Sequence, residues 1–322
     1  MGYRNNGDQF GIDAMKDSRL KHFLLSIWDS LFNAWDTLRK TCLLFADAIY
    51  QWLYAPPSVV SVEESIRYIV ANKCSVARYG DGEMKLIMGR DISFQKCHPV
   101  LRQCLADTLK SYEPELIVCI PNVFSSLDIY TEHDKKFWRE YLSRSRRTWY
   151  KLLDKSCTYY DAFVSRCYLP YQDKSKAVEC FHMWKQLWNG RDLLIIEGAK
   201  TRFGIGNDLF DNVRSVRRIL APIANAFERY DELLNAARDY ENDTLILIAL
   251  GPTATVMAAD LCLAGYQAID IGHLDIEYEW FLKKVDHKVP VEGKYVNEAG
   301  GYSGNDNIVD KKYQSQIVKV FE

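Results

Sequence analysis

The sequence has no uninterrupted apolar run of the roughly 18–20 residues that a membrane-crossing helix needs, so no span is expected. It also lacks a basic excess. Its 41 Lys and Arg stand against 43 Asp and Glu, a formal net charge of −2. General nucleic-acid binding, which rests on neutralising phosphates, is therefore not expected. Residues 1–17 show no basic stretch followed by an apolar core, so no secretory leader is read there. The nine cysteines fall at no paired metal-ligand spacing, and their odd number argues for free thiols in a reducing cytosol. Cys42, Cys74, Cys119 and Cys262 lie in apolar runs and read as small core side chains. Neither a Gly-x-Gly-x-x-Gly fingerprint nor a Walker phosphate loop occurs, and no internal repeat is evident.

What is present divides at Pro56-Pro57, giving an extension over residues 1–57 and a main domain over 58–322. Residues 1–17 are polar and expected to be disordered. Residues 18–54 carry Leu24, Trp28, Leu31, Trp35, Leu38, Cys42, Phe45, Ile49 and Trp52 at alternating steps of four and three. That spacing sets all of them on one face of an amphipathic helix. Such a stripe can dock on the rest of the protein or on a twin chain, as a coiled-coil-like seam. It can also lie on a membrane surface or recruit another enzyme. Asp29, Asp36 and Asp47 on the polar side weaken attraction to anionic lipid.

From Ser58 onward short apolar runs alternate with helical stretches. Strands are expected at Ser75–Tyr79, Leu116–Ile120, Leu193–Ile196, Leu245–Leu250 and Ala268–Ile271, and helices at Val62–Val70 and Val256–Leu263. Continuous rather than alternating apolar strands are buried on both faces. The fold class is therefore α/β, a Rossmann-like, mostly parallel sheet with helices on both faces. Ligands of such sheets bind beyond the carboxyl ends of the strands, and the polar motifs sit there.

Gly80-Asp81-Gly82-Glu83 places two carboxylates one residue apart after the first of these strands. Between glycines both can turn toward one hard cation such as Mg²⁺ or Mn²⁺; the plainer reading is a solvated turn or helix cap. Arg78 can pair with phosphate or with Asp81. In Glu197–Asp208, Lys200 and Arg202 supply positive charge among glycines, which also suits an ordinary flexible loop. Gly251, Thr253 and Thr255 lead into a helix, where free N–H groups attract anions and where Thr253 can simply cap. His273, Asp275 and Glu277 alternate after the last strand, so in an extended segment they would share a face; a solvated acidic helix start competes with an acid–base role.

Taken in order, Arg78–Glu83, Arg202–Phe210, Leu250–Thr255 and Asp270–Tyr278 resemble the GT-D type glycosyltransferases, a bacterial family once described as a domain of unknown function. The resemblance covers about residues 58–322. It implies a Rossmann-like fold, a nucleotide-sugar donor, typically UDP-glucose, and a Mn²⁺- or Mg²⁺-binding Asp-x-Glu motif carried by Asp81 and Glu83. For the other groups the expectation is that Arg78, Lys200 and Arg202 meet the diphosphate. Gly251, Thr253 and Thr255 would help bind the nucleotide, and Glu277 or His273 would deprotonate the acceptor. The expected protein is a cytoplasmic transferase moving a hexose, glucose first, to a glycan on a protein or lipid carrier. Residues 18–54 would touch the inner membrane face or self-associate. The competing function is a non-catalytic nucleotide-sugar-binding scaffold, against which the retained acidic pair argues.

Overall fold

The computed structural model describes residues 8–303 and 310–322, with backbone alone for residues 8–20. Its strands are β1 (Ser58–Val59), β2 (Ser75–Arg78), β3 (Leu116–Ile120), β4 (Thr158–Asp161), β5 (Asp192–Gly198), β6 (Ser215–Ala221), β7 (Leu245–Ala249), β8 (Ala268–Asp270), β9 (Lys294–Val296), β10 (Gly301–Ser303) and β11 (Ile317–Val320). Nine of them form one sheet in the order β1-β4-β3-β2-β8-β7-β5-β6-β11. Every pairing in it is parallel. β9 and β10 form a separate antiparallel pair. The α/β sheet expected from the sequence is present.

Apolar runs become central strands because both of their faces are covered. Leu193 to Ile196 and Leu245 to Ile248 are all at most 1% exposed, and successive side chains point to opposite faces. On one face Leu194, Ile196, Ile246 and Ile248 join Leu233 and Leu234 of helix Tyr230–Ala237 and Met257 and Leu261 of helix Pro252–Leu263. That second helix is buried almost all round and packs on β2 and β8. β6 and β4 were not legible, for a physical reason. β6 carries Arg217 and Arg218 inside its run, and Arg218 is nonetheless buried because its guanidinium donates to Glu197 Oε1 at 2.6 Å. β4 reads Thr-Tyr-Tyr-Asp, with no apolar run at all.

From β2 the chain steps to β3 and β4 on one side, while β5, β7 and β8 fill the other. The order therefore reverses between β2 and β8. A crevice opens beyond the carboxyl ends of strands at such a reversal.

The N-terminal helix runs Asp8–Leu53 and stops just before Pro56-Pro57. The disorder expected of residues 1–17 falls, for residues 1–7, outside the described residues; from Asp8 the backbone is helical instead. The stripe faces solvent, with Trp28 68%, Trp35 65% and Trp52 84% exposed. Cys42 is exposed with it, contrary to the core position expected, because the seam to which it belongs is uncovered. Cys74, Cys119 and Cys262 are buried and all nine thiols are free. No described helix is long and apolar enough to cross a membrane. By internal packing the chain divides into residues 1–55 with Arg139–Ser145, and Pro56–Trp138 with Arg146–Glu322.

Candidate active site

A cleft of about 800 Å³ opens at the β2/β8 reversal. Of the residues singled out in the sequence, Arg78, Asp81, Glu83, Lys200, Gly251, His273, Asp275 and Glu277 line it. Arg202, Thr253 and Thr255 do not.

The floor is a buried ion pair joining the two strands. Arg78, ending β2, donates from Nη2 to Asp270 Oδ1 at 2.6 Å and from Nε to the Asp270 carbonyl at 2.7 Å. Its partner is thus Asp270 of β8, not Asp81. Gly272 makes this geometry available. At φ +51° it adopts a conformation that side chains rarely tolerate, and a Cβ there would lie 2.0 Å from Arg78 Nη2. The Thr255 hydroxyl lies 3.0 Å from the Arg78 carbonyl and 3.2 Å from Asp270 Oδ2, so it braces this pair from behind. Thr253 is buried with its hydroxyl 3.4 Å from Gln95 Oε1. Both hydroxyls are therefore engaged with protein groups, whereas Gly251 lines the cleft, its φ of +55° letting the chain pass over Phe94.

Asp81 and Glu83 open the short helix Asp81–Ile87. Asp81 is partly exposed and its Oδ2 accepts from Lys85 Nζ at 2.6 Å, an i,i+4 pair. Glu83 is turned inward, and its Oε2 accepts the Gly80 N–H at 2.7 Å. Burial, reinforced by the Asp270 charge, pushes its carboxyl up to about 7. Among the described residues no three His, Cys, Asp or Glu side chains gather as a metal cage. Asp81 at the rim and Glu83 behind it are hard oxygen donors, of the kind Mg²⁺ takes in phosphate sites together with phosphate oxygens and water.

Glu277 lies on the facing helix Leu274–Lys283. The segment is helical rather than extended, so His273 and Glu277, four residues apart, share a face, and Asp275 borders the cleft from off that face. Asp275 is not solvated. It is held by Lys294 Nζ at 2.7 and 2.9 Å and by Asn207 at 2.8 Å, which anchors the first turn of the helix. Glu277 is wholly buried. Its Oε2 accepts from the Tyr168 and Leu169 N–H groups at 3.2 and 2.8 Å, whereas Oε1 has no hydrogen-bond partner. Burial pushes this carboxyl up to about 7, with Arg166 and the two N–H groups pulling the other way. A buried carboxylate oriented through one oxygen, with the other unengaged, has the form of a general base. His273 is kept neutral at ordinary pH by burial and by the neighbouring Arg166 guanidinium, whose Nη2 is 3.2 Å from His273 Nδ1.

Of the two basic residues expected on the loop after β5, only Lys200 reaches the cleft, its Nζ lying over the Tyr302 ring at 4.5 Å. Arg202 turns toward Tyr313 and the Gly293 carbonyl. Its φ is +49°, and its side chain lies against the C-terminal segment, outside the cleft in which the diphosphate contact is expected of it. Sequence reasoning missed Arg166, Lys288 and Glu298, which also line the cleft. The signal for Arg166 was a lone charge inside the otherwise uncharged Phe163–Leu169; Glu298 offered none.

A parallel sheet with a cleft of acidic and basic groups at its reversal point defines an α/β protein that binds its ligand at the carboxyl ends of the strands. Comparison with known proteins gives the family. The model of the glycosyltransferase GT-D fold matches residues 76–299, and the chain belongs to this glycosyltransferase family. It is similar to a probable glycosyl transferase, Gly, of Streptococcus gordonii, at 38% identity over 81% of this chain and 38% of the relative. It is also similar to glycosyltransferase GlyD of Streptococcus pneumoniae serotype 4, at 37% identity over 81% of this chain and 32% of the relative. The chain thus spans about a third of the length of these curated relatives. Among solved structures, a new glycosyltransferase (DUF1792) from Streptococcus sanguinis aligns with a TM-score of 0.79 and 39% identity, covering 83% of this chain and 100% of that one. A second, described as the domain of unknown function 1792 with a distinct glycosyltransferase fold, aligns with a TM-score of 0.80 and 38% identity, covering 86% and 99%.

Proposed function

We propose that this glycosyltransferase moves a hexose, glucose first, from a UDP-sugar to a glycan on a protein or lipid carrier, with Mn²⁺ or Mg²⁺ at Asp81 and Glu83. The observation that carries the reading is the unengaged Oε1 of Glu277, buried in the same cleft as the acidic pair and Lys200. Glu277 takes the proton of the acceptor hydroxyl through that oxygen. Lys200 and Arg166 stabilise negative charge on the departing diphosphate. Neutral His273 offers a hydrogen bond without adding charge. A metal bound at Asp81 and Glu83 would supply further charge neutralisation on the diphosphate. The nine free thiols suit a reaction run in the cytoplasm. The test is a panel of UDP- and GDP-sugars with Mn²⁺, Mg²⁺ or chelator, scored by nucleotide release in the presence of glycan acceptors. UDP-glucose with metal is expected to lead. Binding of every donor without turnover on any acceptor would instead favour the scaffold.

For residues 18–54 the reading is a helical seam with a second copy of the chain. The four-and-three spacing is the repeat of a coiled coil, and Asp29, Asp36 and Asp47 would repel an anionic membrane. Sedimentation of the full chain is expected to show an oligomer that Leu31→Asp with Leu38→Asp converts to monomer. A monomeric wild type that pellets with liposomes would replace the seam by the peripheral membrane contact.

A further inference from the structure

Most cations lining the cleft are each matched to a protein partner. Arg78 is held by Asp270 at 2.6 Å and Lys85 by Asp81 at 2.6 Å. Arg166 and Lys288 differ, because they share one carboxylate. Glu298 receives both terminal nitrogens of Arg166, Nη1 at 3.2 Å from Oε2 and Nη2 on Oε1, and it also pairs with Lys288 Nζ. His273 Nε2 lies 3.7 Å from its Oε1. Glu298 is only about a quarter exposed, so its charge is met by these groups rather than by water. Arg166 is close enough to Asp81 and Glu277 to feel both charges. The cation pair therefore lines the same cleft as Asp81 and Glu277.

A diphosphate seated against Asp81 and Glu83 reaches this pair and finds a carboxylate already there. A planar guanidinium presents the same fork to carboxylate and to phosphate. Two anions cannot share it without like-charge repulsion. Glu298 sits on the short turn Asn297–Ala299, followed by Gly300 and Gly301 at φ +90° and +88°. A Cβ at Gly300 would meet nothing within 4 Å, so the turn has room on that side. On its other side the Tyr295 N–H donates to the Lys200 carbonyl at 2.8 Å, which links the turn to the cleft's remaining cation.

We propose that Arg166 and Lys288 form the seat of the donor's diphosphate, and that Glu298 fills this seat in the free chain as an internal stand-in that the diphosphate displaces. The proposal rests on the nucleotide-sugar reading above. Affinity for the donor is then set by an exchange of one anion for another, and the free cleft carries no exposed cation pair to capture stray phosphate.

The experiment is calorimetric titration of the full chain with UDP and with inorganic pyrophosphate, in wild type, Glu298→Gln, Glu298→Ala and Arg166→Gln. Removing the internal competitor is expected to tighten both ligands on the order of tenfold in both Glu298 variants. Arg166→Gln is expected to weaken both. Unchanged or weaker binding in the Glu298 variants, with thermal unfolding showing them folded, overturns the proposal, since Glu298 would then merely orient Arg166. Tightening for pyrophosphate but not UDP overturns the assignment to the donor. None of these outcomes depends on sugar turnover, so the transfer reading fails or stands separately.

Discussion

Replacing Glu277 by Gln is expected to lower turnover roughly 10²- to 10⁴-fold, the range for loss of a general base, while making the folded chain more stable at pH 8. The amide keeps an oxygen for the Tyr168 and Leu169 N–H groups and puts an uncharged NH₂ where the unengaged Oε1 stood. Burial raises the Glu277 carboxyl from 4.5 to about 7. Between those values the folded chain holds a proton that the unfolded chain has released. Stability contributed by this group therefore falls as pH rises through that window, and above pH 7 the cost is present in full, about 3 kcal/mol at most. The amide removes this cost. Urea unfolding at pH 4 and 8 should show the variant gaining on wild type only at the higher pH, with part of the gain already present at pH 5.5. In wild type, turnover should fall toward tenfold per pH unit below about 7 as the base protonates. Wild-type turnover in the Gln variant would remove Glu277 from the chemistry.

Asp81→Asn is expected to cut turnover on the order of 10²-fold at limiting Mn²⁺, with part of the loss recovered at high metal. Little change in stability should accompany it. The pair it breaks, Asp81–Lys85, is a half-exposed i,i+4 contact, and such contacts are worth a few tenths of a kcal/mol. Glu83 is a less clean probe, because its Oε2 also satisfies the Gly80 N–H and Ala there would strand a backbone donor. Nucleotide release titrated against Mn²⁺ decides the matter. An Asn variant with the same metal requirement and rate as wild type would place the ion elsewhere.

The central strands were legible because burial on both faces demands unbroken apolar runs, as in Leu193–Ile196 and Leu245–Ile248. The motifs that follow them were legible because a parallel sheet delivers the end of each strand to one edge. Asp81, Glu83, Lys200, Gly251, His273 and Glu277 all arrive in the cleft for that reason. Direction along the chain was less legible. Thr253 and Thr255 are buried against protein groups, and Arg202 turns away, because which way a side chain points after a strand depends on φ and on what packs behind it. A solvated helix start is one of the two readings that the run at Asp275 allows, yet Asp275 is buried against Lys294, whose place on the separate two-stranded pair no local pattern announces.

What the sequence determined by itself is whatever repeats or lies close along the chain. That includes the apolar periodicity of residues 18–54, the buried strands, and the placing of glycine-bordered carboxylates after a strand. Local sterics and burial act on neighbours in sequence and leave their mark there. Only the tertiary structure decided the partners: Arg78 with Asp270 across 192 residues, Glu277 with the Leu169 N–H across 108, and Arg166 with Glu298 across 132. Charge and burial act through space. Two groups brought together by the crossing of a sheet carry no spacing by which either can be found from the other.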